Sequence, residues 1–200
     1  MAAFPPLILA SSSRYRRELL SRLHLPFEVC SPEVDEGRLP GEAPDAMALR
    51  LAVAKARAVA ARRHDAVVIG SDQVAELHGD ALGKPGTHER AVQQLQRLSG
   101  QRVQFHTAVA VVRADRGFER SALSSVSVHF RDLEAAEIEH YLRIEQPYDC
   151  AGSAKCETLG IALLRSLDSD DPSSLVGLPL IRTCELLRLA GIDPLRTEAK

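Results

Sequence analysis

Apolar residues fall in short clusters whose spacing alternates between a strand-like and a helix-like period. Leu7–Ala10 has no polar interruption, which predicts a strand buried on both faces. Leu19, Leu20 and Leu23 lie along one side of a predicted helix, Arg14–His24, with Ser13 placed to cap it. Phe27–Cys30 predicts a second strand. Asp45–Arg63 is the longest predicted helix, its inner stripe read as Met47, Leu51, Ala54 and Ala58. Ala66–Gly70 predicts a third strand that ends in Ser71-Asp72-Gln73, and Val74–Leu82 a hairpin around His78-Gly79-Asp80. A helix over His88–Leu98 and two long strands, Arg102–Arg113 and Glu119–Arg131, follow; Val126, Val128 and Phe130 alternate along the second. Glu134–Ile144 predicts a helix, Ile161–Arg165 a strand, and Leu175–Leu189 a turn and a final helix. Gln146–Gly160 is too rich in glycine and polar residues for a regular element. The long central hairpin interrupts any strict βαβ alternation, so the pattern predicts an α/β fold with a mixed sheet.

The 200 residues, 45% of them hydrophobic, suit one domain spanning 1–200. Twenty-five basic against 27 acidic residues leave a formal charge of -2, and only 4% of residues are aromatic. Both argue against a nucleic-acid partner. Cys30, Cys150, Cys156 and Cys184 form no CxxC pair, so zinc and thioredoxin-like chemistry have no support and reduced thiols in the cytoplasm are expected. The apolar run near the N-terminus is broken by Pro5–Pro6 and lacks a preceding positive charge, unlike a secretory signal. No stretch has membrane-spanning length, so no membrane partner is expected.

Four places could carry chemistry. Ser11, Ser13, Arg14, Arg16 and Arg17 surround a predicted helix start, where hydroxyls, backbone N–H groups and forked guanidinium donors suit an anion. A serine-capped basic helix face accounts for the same residues. Asp72, at the end of an apolar strand, could hold a divalent cation or act as a base on water, or could cap a turn. Glu33, Asp35 and Glu36 offer oxygen ligands for a Mg²⁺-type ion, or form a solvated acidic loop. Lys84 sits in a tight Gly-Lys-Pro turn and Lys55 among apolar neighbours in the alanine-rich helix; each is a phosphate-binding charge or a surface lysine. No HExxH, GxSxG, Walker A or GxGxxG pattern is present.

The order of the pieces is more specific than any one of them. LILASSSRYRRELL, PEVDE, RLAVAKA, IGSDQV, LGKP, AGSAKCE, GIALL and DPSSLVGLPL follow one another from Leu7 to about Leu195. Together they resemble the Maf-like family of nucleoside triphosphate pyrophosphatases. The resemblance implies an elongated mixed sheet with flanking helices and two lobes around a cleft. It implies a nucleotide substrate cleaved between its α- and β-phosphates, with a divalent metal (Mg²⁺, Mn²⁺ or Co²⁺) and a homodimer. By the same resemblance Asp72 is the proton acceptor, Ser11, Arg16, Lys55 and Lys84 handle phosphate, and Glu33 joins Asp72 at the metal. Ser13 belongs to the same substrate-binding motif.

Within that family, Tyr15, Gln73 and Glu157 resemble the branch acting on 7-methyl-GTP rather than the branch acting on TTP and UTP. Methylation at N7 leaves guanine positively charged, and an electron-rich ring attracts it by stacking and cation–π forces. Glu157 would accept the guanine N1–H and amino hydrogens. Arg14 stands where the family usually has proline, and Tyr15 where this branch often has tryptophan. The alternatives are a pyrophosphatase for TTP, UTP or other modified nucleotides, and a nucleotide-binding regulator of cell division.

Overall fold

A computed structural model describes residues 4–196. Its seven-stranded sheet is laid out around one long strand. β1 (Leu7–Ala10) lies parallel to both β2 (Glu28–Cys30) and β3 (Val67–Leu77). β3 pairs antiparallel with β5 (Arg102–Arg113), β5 with β6 (Phe118–Phe130), and β6 with β7 (Leu164–Asp168). The order is β2-β1-β3-β5-β6-β7, and β4 (Asp80–Leu82) pairs with the far end of β3.

One edge of β3 is therefore shared. Val67–Gly70 bond to β1 and Ala75–Leu77 to β4, while β5 follows the other edge from Val67 to Glu76. Among the described residues no strand meets the shared edge between Gly70 and Ala75. The sequence pattern divides this stretch into a strand and a separate hairpin because a polar triplet interrupts it. The triplet instead lies within an unbroken strand, at the opening left in the sheet edge.

Helices pack on both sides of the opening. α2 (Pro44–Ala60) covers one face of the first lobe, with Ala48, Ala52 and Ala56 against Ile8, Val68 and Ala110. α1 (Arg14–Ser21) and α5 (Leu180–Leu189) cover the opposite face through Leu19, Leu20, Leu186 and Leu187. α3 (His88–Leu98) and α4 (Ala135–Glu145) build the second lobe over Phe105, Val128 and Phe130. No helix among the described residues is long and apolar enough to cross a membrane.

Two expectations need correction. The buried stripe of α2 is Ala48, Leu51, Ala52, Lys55, Ala56 and Val59; Met47, Ala54 and Ala58 sit at its flanks. Small side chains face inward here because the helix packs close to the sheet. The last strand starts at Leu164 rather than Ile161, because Leu159–Leu163 forms a tight 3-10 turn. β7 is an edge strand with mostly exposed side chains, so hydrophobic patterning does not mark it.

Candidate active site

The close approach of α2 to β3 sets the centre of the site. A Cβ on Gly70 would lie 2.2 Å from the Ala52 carbonyl oxygen and 2.6 Å from the Ala56 nitrogen, so this packing requires glycine. Lys55 lies on the same helix face and Asp72 is the next β3 residue on the same sheet face. Both are buried, and Lys55 Nζ lies 2.6 Å from Asp72 Oδ1. The same ammonium lies 2.6 Å from Glu36 Oε1. Asp72 Oδ2 makes no hydrogen bond among the described residues and opens to the adjoining cavity.

That cavity is about 980 Å³ and spans the cleft between the lobes. Ser11, Ser13, Tyr15, Arg16, Lys55, Asp72, Gln73, Lys84 and Glu157 all line it. Glu33 does not: it is exposed on the loop, and Glu36 is the acid that reaches the cavity wall. The Gly37 N–H donates to Asp35 Oδ1, and this local hydrogen bond turns the chain just at Glu36. Partial burial works against ionisation of Glu36, but the Lys55 hydrogen bond and the Lys55, Lys84 and Arg16 charges hold its carboxyl below the usual range.

The serine–arginine segment folds as a capped helix start. Ser13 Oγ accepts the Arg16 N–H at 3.4 Å, and Ser11 Oγ accepts the Ser13 N–H at 3.1 Å. Arg16 donates Nε–H to the Gly177 carbonyl at 2.8 Å, which fixes the fork while its two terminal nitrogens have no partner among the described residues. Ser71 donates to the carbonyls of Ala108 and Gly177. Gln73 directs its amide NH₂ at Thr107 Oγ1 and at the carbonyls of Ser174 and Leu175, leaving its carbonyl oxygen as an acceptor. The polar triplet thus binds the loop before α5, which no spacing in the sequence indicates.

A different group of residues surrounds Tyr15. Its phenol accepts a hydrogen bond from Arg14 Nη2 at 2.7 Å, and the Arg14 guanidinium carbon lies 4.8 Å from its ring centre. Cys150, from the loop of the other lobe, brings its Sγ 3.8 Å from the same oxygen. Burial pushes the Tyr15 phenol and the Cys150 thiol up to about 12, so both stay neutral and the thiol is no nucleophile near neutral pH. Glu157 is exposed, yet partial desolvation by its neighbours raises its carboxyl, despite a backbone hydrogen bond and the Lys155 charge. Lys155 itself is structural: it is buried and bonds the Glu145 carbonyl.

The arrangement places cations near one carboxylate at the sheet opening, with a tyrosine and a further acid, Glu157, on the wall of the same cavity. The model of the Maf-like protein family matches residues 6–190, nearly the whole chain. The chain belongs to the Maf-like family. This Maf-like chain is 67% identical over 187 residues to the 7-methyl-GTP pyrophosphatase of a Polaromonas species, covering 94% of this chain and 85% of that protein. It is 63% identical to the protein of the same name from Albidiferax ferrireducens, covering 94% of this chain and 95% of that one. For the 7-methyl-GTP pyrophosphatase of Bordetella parapertussis the identity is 59% and the coverage 98% of both chains. Among the described residues of the Maf-like chain no three His, Cys, Asp or Glu side chains form a metal-binding group.

Proposed function

We propose that the chain hydrolyses 7-methyl-GTP to 7-methyl-GMP and pyrophosphate. The observation that carries the reading is that Tyr15 and Glu157 line the same cavity as Arg16, Lys55, Asp72 and Lys84. The first pair suits a cationic purine and the second set a triphosphate. The high identity to proteins bearing the 7-methyl-GTP pyrophosphatase name supports it. The four free cysteines accord with action in the reducing cytoplasm.

In this reading water attacks the α-phosphorus and the bond to the bridging α–β oxygen breaks. Asp72 orients that water through its open Oδ2 and takes its proton. Lys55, which holds Asp72 through Oδ1, and Arg16 with its unpaired terminal nitrogens neutralise the charge that spreads over the phosphate oxygens. Lys84 adds a point charge at the other rim. Asp72 and Glu36, whose carboxylates converge on Lys55, are the oxygen ligands that would hold a Mg²⁺, Mn²⁺ or Co²⁺ ion. A divalent cation bound there would supply Lewis-acid polarisation of the phosphate oxygens.

Pyrophosphate release from 7-methyl-GTP, GTP, TTP, UTP and CTP, with Mg²⁺ or EDTA, tests the reading alongside Asp72→Asn. Metal-dependent release greatest with the methylated nucleotide and lost in the variant is expected. Preference for TTP or UTP overturns the base assignment and keeps the reaction. Release from none of them overturns the enzyme and favours a nucleotide-binding regulator.

A further inference from the structure

Two tyrosines, not one, line the cavity. The chain has three Tyr, five Phe and no Trp, and among the described residues only Tyr15 and Tyr148 line the cleft. They come from opposite lobes: Tyr15 from α1, and Tyr148 from the loop after α4. Cys150, close to Tyr148 in that loop, contacts the Tyr15 hydroxyl, so the loop closes toward the Tyr15 ring. Glu157 lines the cavity from the same stretch of the second lobe.

Tyr148 is held at both ends. Its hydroxyl lies 2.9 Å from His88 Nδ1, and His88 Nε2 lies 2.9 Å from Glu139 Oε2. A carboxylate only accepts, so Nε2 carries the proton, and in the neutral ring Nδ1 accepts the Tyr148 O–H. The His88 and Tyr148 rings meet edge-on with centres 6.1 Å apart. The Tyr148 carbonyl accepts the Gly86 N–H at 3.0 Å, which ties this loop to the turn carrying Lys84. The Tyr148 side chain also packs against the core of the second lobe, so one residue joins that core, lines the cleft and has an oriented hydroxyl.

We propose that Tyr148 is a second aromatic wall of the base site, and that His88 is the positioning residue that fixes its ring. The inference rests on the reading of this cavity as a 7-methylguanine nucleotide site. A cationic purine between two neutral rings gains attraction on both faces, whereas a neutral purine gains stacking alone. The wall therefore selects for the methylated base and acts on binding more than on bond cleavage. Through Gly86 it also sets the base relative to the lysine at the phosphate end.

Steady-state kinetics of Tyr148→Leu, Tyr148→Phe and His88→Ala with 7-methyl-GTP and GTP test this. Tyr148→Leu is expected to raise KM for 7-methyl-GTP about five- to tenfold, with a smaller rise for GTP and a smaller change in kcat. Tyr148→Phe should recover most of that loss. His88→Ala should shift KM in the same direction by less, because the ring is loosened and not removed. A lowered unfolding midpoint with unchanged KM for both nucleotides would make Tyr148 a packing residue and sink the proposal.

The absence of tryptophan allows a direct readout. Tyr148→Trp and Tyr15→Trp each give a chain with one tryptophan, titrated with 7-methyl-GMP, which is not turned over. Quenching of both supports two walls. Quenching of Trp at position 15 but not at 148 rejects the second wall and keeps the base site. No quenching in either, with a parent chain that does not cleave 7-methyl-GTP, rejects the base site and the proposal with it.

Discussion

Lys55 Nζ sits 2.6 Å from Asp72 Oδ1 in a buried contact, and 2.6 Å from Glu36 on its exposed side. In the proposed reaction this one ammonium holds the water-activating carboxylate in place and meets the phosphates. Lys55→Met keeps the volume of the side chain and removes both roles. Pyrophosphate release is expected to fall at least ~100-fold, the scale for losing one preorganised electrostatic group in a phosphoryl-type site. Single-turnover rates measure it. A loss confined to KM would mean that Lys55 only binds.

Gly70 sets the spacing on which that pair depends. In Gly70→Ala the new methyl must displace the α2 backbone at Ala52 and Ala56. A loss of about 1–3 kcal/mol in stability is expected from overpacking, read as a lower urea midpoint at constant m-value. Activity should fall by more than the unfolded fraction accounts for, because Lys55 moves with the helix.

Much of the site is legible in the sequence because polar residues interrupt or border apolar periods there. Asp72 follows an apolar run, and Ser13 precedes a helical period. Other parts depend on contacts that local pattern does not encode. Glu33 and Glu36 lie in one acidic stretch, and only the path of the loop brings Glu36 rather than Glu33 to Lys55. Tyr148 lies in a segment with no period, and its partner His88 is 60 residues away. The continuity of β3 is hidden by Ser71, Asp72 and Gln73, whose polarity reflects a cavity and a distant loop rather than a strand end. Edge strand β7 carries too little buried surface to leave a pattern.

Glu36 and Glu33 are separable by experiment. Glu36→Gln removes a carboxylate that contacts Lys55, and should lower activity about tenfold or more while raising the Mg²⁺ concentration needed for half-maximal rate. Glu33→Gln, on an exposed loop position outside the cavity wall, should leave both within twofold. The reverse pattern would place the metal on Glu33.

In the proposed base site Glu157 trades stability for recognition. The residue is exposed, but partial desolvation by its neighbours raises its carboxyl, so the folded chain holds that proton somewhat more tightly than the unfolded chain does. The stability from this group is full below the unfolded value of about 4.3 and is lost as pH rises through the folded value. At pH 7 Glu157→Gln should therefore be as stable as the parent or more so, while its KM for 7-methyl-GTP rises. In the parent, KM for 7-methyl-GTP should climb on acidification from a higher pH than a fully solvated glutamate would give. Urea midpoints and KM measured from pH 5 to 8 check both.

Asp171 governs the loop that supports Arg16 and Gln73. It is 1% exposed, and its carboxylate accepts the Ser173 N–H and O–H through Oδ1 and the Ile181 and Arg182 N–H groups through Oδ2. These contacts cap α5 from outside the helix and hold Gly177, whose carbonyl receives both Arg16 and Ser71. Asp171→Ala strands several partly buried donors and should cost about 2–4 kcal/mol, since bonds to an ionised acceptor exceed those between neutral groups. Asp171→Asn keeps one accepting oxygen and should cost less. In both variants the KM for nucleotide should rise in proportion to the lost stability, because the Arg16 fork loses the carbonyl that orients it. An unchanged KM in a destabilised Asp171→Ala would show that Arg16 keeps its place without this loop.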